Sequence, residues 1–303
     1  MVAAGVAAPL LRKRLSAPPL VVQVVAYGAP LGLAVAVRRS PRRDVAMCAL
    51  QMWAYVAAYK SPHDDADAQS ARVQIDYPIV ADRILGFGEL PSVRLQRRFA
   101  MVGEQGPEWR TLDRVLVWAH WSWFAVPHAA VAYTLVRHPE RFPRAAAMTY
   151  SVFNVGAAVY WVLPTAPPWY PAAVGLRPDT QAASVRRMMV EFGEDFWRDG
   201  WASLYSVFGG NPLAAMPSLH FATSVMAALL LAEGGPIAGA LGTAYAGTLG
   251  FALVYLGEHY VVDLLAGAGL TGLVRRLGPR FAPAFGSVRR AVATLEELAH
   301  ATA

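Results

Sequence analysis

Residues 216–263 read MPSLHFATSVMAALLLAEGGPIAGALGTAYAGTLGFALVYLGEHYVVD, and this stretch decides the fold. It opens on Met216-Pro217-Ser218-Leu219-His220 and closes on Gly257-Glu258-His259-Tyr260-Val261-Val262-Asp263. Between the two, Glu233 is the single charged residue before Glu258. A helix crossing a bilayer takes about 20 residues. A chain that descends one such helix and climbs the next therefore returns His220 and His259, 39 residues apart, to the same membrane face, where both can serve one site.

The whole chain agrees with this reading. Of its 303 residues 55% are hydrophobic and 16% charged, with a mean hydropathy of +0.33, against roughly 25% charged in a soluble domain. Backbone groups in lipid must be hydrogen-bonded within a helix or a closed barrel, and no stretch shows the strict alternation of a barrel strand. The expected fold is therefore all-α, a polytopic membrane helix bundle. One membrane domain is expected over residues 1–277, followed by a basic cytoplasmic tail over 278–303. The lone Cys48 rules out an intrachain disulfide framework. The formal charge of +6 comes from arginines near segment ends, which reads as topology-setting charge with some contact to anionic lipid. No motif supports nucleic-acid binding.

Seven apolar segments are read, at 18–37, 44–59, 116–136, 145–163, 213–232, 237–256 and 259–275; the second and last are short, so six passes remain an alternative. The first follows Arg12-Lys13-Arg14 and is too long for a signal-peptide core. Arg38, Arg39, Arg42 and Arg43, then Arg137, Arg141 and Arg144, then Arg275, Arg276 and Arg280 occupy alternate ends of these segments, and the positive-inside rule assigns all three groups to the cytoplasm. Residues 60–115, residues 164–212 and both histidine motifs then face the other side, and the expected location is the plasma membrane with an outward-facing site. Within the second outer stretch, residues 181–201 read as an amphipathic helix, with Val185, Met188, Met189, Phe192 and Phe196 opposite Arg186, Arg187, Glu191 and Glu194, lying in the headgroup plane.

His259 and Asp263 stand at i and i+4 and share a helix face. A carboxylate bonded to one imidazole nitrogen fixes the tautomer and leaves the other nitrogen free to attack, while His220 is free to act as an acid. Nucleophile, orienting carboxylate and proton donor make a complete set for phosphoryl transfer through a phospho-histidine, with no metal or cofactor required. Ionisable groups at membrane depth usually mark functional sites. His120 and His128 fall in the third segment, within about 80° of each other on one continuous helix. There they line a cavity or are satisfied by Tyr150, Asn154 and Tyr160.

Pro217-Ser218-Leu219-His220 and His259-Tyr260-Val261-Val262-Asp263, each at the head of a helix, resemble the second and third signatures of the type-2 phosphatidic acid phosphatase superfamily. Pro164-Thr165-Ala166-Pro167-Pro168-Trp169-Tyr170 is similar to a signature of its inositol-phosphorylceramide-synthase branch. The resemblance implies a six-helix core, here with one extra helix, and a metal-independent enzyme acting on a phospholipid or polyprenyl-phosphate substrate. It implies His259 as nucleophile, Asp263 as its partner and His220 as the acid, with Ser218 either bonding a phosphate oxygen or capping the helix start; Arg177, Tyr260 and His120 are further candidates around the substrate. The superfamily's Lys-x6-Arg-Pro signature is absent, Leu253 stands where an arginine is usual and Leu219 where a glycine is usual. Fewer phosphate-binding cations favour a diester monoanion over a monoester dianion. The expectation is therefore transfer of a phosphorylated headgroup. Hydrolysis of a lipid phosphate or polyprenyl pyrophosphate, and a non-catalytic transport or lipid-binding role, are the alternatives. The phosphate-binding cation is sought among Arg177, Arg186 and Arg187 in one outer stretch and Lys60, Arg72, Arg83, Arg110 and Arg114 in the other, with Arg177 favoured because prolines stiffen its loop.

Overall fold

The computed structural model describes residues 1–12, 14–61, 67, 69, 71–104, 106–175, 184–208 and 210–301. The expected helix bundle is what forms. A short helix α1 (Val2–Leu11) packs along α2 (Pro19–Ala36), and α3 (Pro41–Lys60) follows. Ser40 caps α3 by accepting from the Arg43 amide at 3.2 Å, with Pro41 in the first turn, the residue types that favour a helix start. On one side of the bundle sit α4 (Asp76–Leu85), α5 (Pro91–Phe99) and a hairpin of β1 (Met101–Gly103) with β2 (Gly106–Glu108).

The remaining bundle helices are α6 (Thr111–Ser122), α7 (Val126–Arg137), α8 (Phe142–Val162), α12 (Leu219–Gly234), α13 (Pro236–Tyr255) and α14 (Val261–Ala301). Between α8 and α12 lie the short α9 (Tyr170–Ala173), α10 (Met188–Trp197) and α11 (Asp199–Phe208). Among the described residues three helices, α2, α8 and α13, are long and apolar enough to cross a membrane, and the chain is an integral membrane protein. The main core joins Tyr55, Trp123, Phe153, Tyr160, Leu219, Met226, Leu249, Leu253 and Leu264. Where lipid tails compete as apolar neighbours, such close packing rather than water exclusion holds helices together.

Two expectations are corrected. The segment 116–136 is not one helix: it breaks after Ser122 and restarts at Val126. Pro127 explains the break, since its ring has no N–H to donate and clashes with the carbonyl four residues back. His120 and His128 consequently stand on separate helices and share no face. The amphipathic stretch 181–201 is likewise two helices, parted at Arg198, whose φ is +47°; residues 181–183 lie outside the described ones. Residues 278–301 continue α14, and Glu296 on this continuation binds Arg39 and Arg43 at 3.2 and 2.8 Å.

Candidate active site

His259 precedes α14, and a turn built for it ends α13. The amides of Glu258 and His259 both donate to the Leu253 carbonyl at 3.0 Å, and Gly257 between them has φ +81°. This is the left-handed helix terminus for which glycine is suited. A side chain at Gly257 would also sit 2.4 Å from the Arg186 carbonyl oxygen. The next turn starts α14 and carries Asp263, fully buried beneath His259.

His259 Nδ1 lies 3.2 Å from Asp263 Oδ2, and His259 Nε2 lies 3.3 Å from His220 Nδ1. These two contacts assign the protons. A carboxylate accepts, so Nδ1 of His259 carries hydrogen and Nε2 presents its lone pair; the shared proton then belongs to His220 Nδ1. His220 is held between two rings, His120 stacked at 5.0 Å and Trp123 at 4.1 Å between centroids. Trp123 is itself fixed by donating Nε1–H to Thr223 Oγ1 at 2.8 Å.

The Pro164 segment reaches the site through backbone pairing. Thr165 N donates to Leu213 O at 2.9 Å and Ala215 N to Thr165 O at 3.1 Å, so the proline-rich turn fixes the run into Met216-Pro217-Ser218. Tyr77 closes the joint, with its hydroxyl 2.9 Å from Thr165 Oγ1 and 3.2 Å from Met216 Sδ. Across the site Ser218 N donates to the Asp263 carbonyl at 3.0 Å. Gly267 lies so close beneath that a Cβ there would be 2.6 Å from Ser218 O. The two histidine motifs are therefore one backbone-linked unit.

The other residues expected at the site divide. Ser218 is fully buried and caps α12, accepting from Phe221 N at 3.3 Å, the capping alternative its sequence position offers. Tyr260 packs with Ile79 and Leu90 in a separate apolar cluster, and its amide, rather than its ring, serves the site by donating to Asp263 Oδ2 at 2.9 Å. His120 is buried against His220, and neither ring nitrogen has a partner. His128 stacks on Phe153 at 5.8 Å instead and lines an apolar groove of about 520 Å³ between α3, α7 and α8. Arg177 lies outside the described residues.

Of the outer-loop arginines, Arg187 is joined to Glu258, the residue before His259. Arg187 Nε donates to Glu258 Oε1 at 3.1 Å, and the guanidinium lies 3.9 Å above the Trp169 ring. Burial disfavours its charge, but Glu258 and Tyr205 outweigh that and hold it charged more firmly than usual. Its neighbour Arg186 is turned away, to Glu191 at 3.0 Å. The Arg-Arg pair was visible in the sequence; which of the two reaches Glu258 was not. Among the described residues, no group of three or more His, Cys, Asp or Glu side chains is arranged to hold a metal ion.

With this geometry in view, the comparisons with known proteins are informative. The family profile described as the PAP2 superfamily matches residues 108–277, more than half of the chain. Inositol phosphorylceramide synthase of Candida albicans is 29% identical over 154 residues, covering 49% of this chain and 32% of that protein. The inositol phosphorylceramide synthase catalytic subunit of Schizosaccharomyces pombe is 32% identical over 127 residues, 40% of this chain and 29% of the relative. Phosphoinositol dihydroceramide synthase of Bacteroides thetaiotaomicron is 32% identical over 118 residues, 37% of each chain. The matched stretch thus spans about a third of the length of these relatives. No solved structure matches significantly.

Proposed function

The chain belongs to the PAP2 superfamily, and on that premise we propose that it is a membrane lipid phosphotransferase working through a phospho-histidine on His259. The observation that carries the reading is the contact chain Asp263 Oδ2, His259, His220 Nδ1, at 3.2 and 3.3 Å. It sets a lone pair on His259 beside a proton on His220, the nucleophile and the acid that phosphoryl transfer needs.

In the first step His259 Nε2 attacks phosphorus, forming the N–P bond as the P–O bond to the lipid alcohol breaks. His220, in its imidazolium form, gives its Nδ1 proton to the departing alkoxide and is left neutral, and Asp263 stabilises the positive charge on the phosphorylated His259 ring. In the second step an acceptor hydroxyl passes its proton to His220 and attacks phosphorus, and the N–P bond breaks. The phosphorylated headgroup leaves on the acceptor and both histidines are restored. Arg187 neutralises the phosphodiester, with Glu258 as its counter-ion before substrate arrives. The buried, unpartnered nitrogens of His120 offer both a donor and an acceptor to a hydroxyl. The names of the relatives make an inositol phosphate headgroup and a ceramide-type alcohol the donor and acceptor to test first. The arginine groups at the opposite helix ends support a site at the outer leaflet of the plasma membrane, the side away from them under the positive-inside rule.

The test is a labelled-headgroup assay in nanodiscs with donor lipid, with and without acceptor alcohol. Label is expected on the acceptor, and on the protein as an acid-labile adduct when acceptor is withheld. His259→Ala is expected to lose both. Turnover in His259→Ala near the wild-type rate would overturn the mechanism, and release to water regardless of acceptor would make the enzyme a hydrolase.

A further inference from the structure

We propose that Asp82 is a positioning residue for the His259–Asp263 pair, holding the first amides of α14 so that the Asp263 carboxylate stays turned to His259. The inference rests on the catalytic reading above and lies outside the stretch that carries the family match, 108–277.

A helix begins with backbone N–H groups that have no partner within it. At the start of α14, two buried carboxylates divide these amides. Asp263 Oδ2 takes Tyr260 N at 2.9 Å as well as His259 Nδ1. Asp82 takes the next two, Val261 N on Oδ2 at 3.1 Å and Val262 N on Oδ1 at 2.9 Å. It does so from α4, 179 and 180 residues earlier in the chain. The Asp82 side chain is fully buried, and its two oxygens are both spent on this helix start.

The arrangement matters because Asp263 has one oxygen committed and one free: Oδ1 is buried with no partner. Buried amides left without an acceptor carry a penalty of about 1–3 kcal/mol each. If Asp82 were removed, the nearest carboxylate along the helix would be Asp263, and rotating it onto those amides breaks the bond that sets the His259 tautomer. Asp82 thus acts through Asp263 and touches neither substrate nor phosphorus. The rest of α4 fits a fixed strut. Ile79, on the same face as Asp82, is buried against Tyr260, while Val80 and Ile84 on the other face are exposed.

The test uses the full chain in nanodiscs, comparing Asp82→Ala and Asp82→Asn with wild type by headgroup-transfer kinetics and by hydrogen exchange over residues 259–266. Loss of a carboxylate that orients a catalytic group costs on the order of 10–100-fold. Asp82→Ala is expected to lose that much in kcat with KM within about twofold and to exchange its 260–263 amides faster. Asp82→Asn keeps one acceptor oxygen and is expected to recover part of kcat. Unchanged kcat and unchanged exchange in either variant would overturn the proposal, as would a change confined to KM. If Asp82→Ala does not fold, Asp82→Asn decides by the same readouts. Should wild type show no His259-dependent turnover, the catalytic reading fails by itself, and the exchange data still report whether Asp82 holds the helix start.

Discussion

Asp82 is a carboxylate whose surroundings work against its charge. Burial above all, and Asp263 nearby, push its pKa up to about 6, although the Val261 and Val262 amides pull it down. The groups facing it from α14 are Asp263 and Tyr260; on α5, Arg94 and Arg97 are turned to Glu89. Protonation removes an acceptor from the helix start, so kcat is expected to fall as pH drops through about 6, and this acid limb is expected to vanish in Asp82→Asn. The stability sign is the reverse. A folded pKa above the ordinary aspartate value of about 3.9 means the fold binds the proton more tightly, so this group adds stability as pH falls from about 6 toward 4. Melting temperature and kcat measured together across this range are therefore expected to diverge, and a parallel loss of both would show unfolding instead. Arg187 gives a second prediction at this scale. Removing one pre-placed cation from a low-dielectric site costs on the order of 10²–10³ in rate, so Arg187→Ala is expected to lose that much in kcat/KM. Arg187→Lys is expected to recover only part, since an ammonium cannot match the planar stacking on Trp169.

Among the elements, the turn between α13 and α14 is the least tolerant. Gly257→Ala places a Cβ in a left-handed backbone conformation and 2.4 Å from the Arg186 carbonyl. The strain is of order 1–3 kcal/mol, and the segment leading into α10 must move, taking Arg187 with it. The expected result is a lower melting temperature together with a raised KM, read by thermal melts and kinetics on one preparation; a melting change alone would separate the turn from substrate binding. This turn also shows how far sequence reading reaches. Apolar runs exposed the long helices and the return of His220 and His259 to one face, because length and hydropathy are local properties of the chain. The break at 123–125 was hidden, since Trp123-Phe124-Ala125 are as apolar as the helices they part and Pro127 is tolerated in a first turn as readily as it ends a helix. The proximity of Arg187 to Glu258 and of Asp82 to Val261 was not legible at all. Each joins residues far apart in the chain through contacts that only the packed bundle creates.

Across the whole molecule the charges separate from the site. Glu233 ends α12 and binds Arg144 of α8 and Arg275 of α14, at 2.6 and 2.9 Å, and Arg141 donates to the Glu233 carbonyl at 2.6 Å. His220 stands in the first turn of the same helix, 13 residues earlier, so the cluster and the proposed His220–His259 site are roughly 20 Å apart along its axis. One helix thus carries the chemistry at its head and a knot of arginines at its foot, joining three of the bundle helices. Since arginine-rich ends stay in the cytoplasm, the head of α12 is expected on the other side. With Cys48 replaced by serine, a single cysteine at the exposed Glu104 is expected to react with an impermeant maleimide in intact cells. One at Glu140, beside the arginine knot, is expected to react only after permeabilisation. The reverse pattern would put the site in the cytoplasm and take away the outer-leaflet lipid as donor, while leaving the His259 chemistry standing. Labelling of both positions in intact cells would instead mean a mixed orientation, and with it that the three arginine groups do not set the topology.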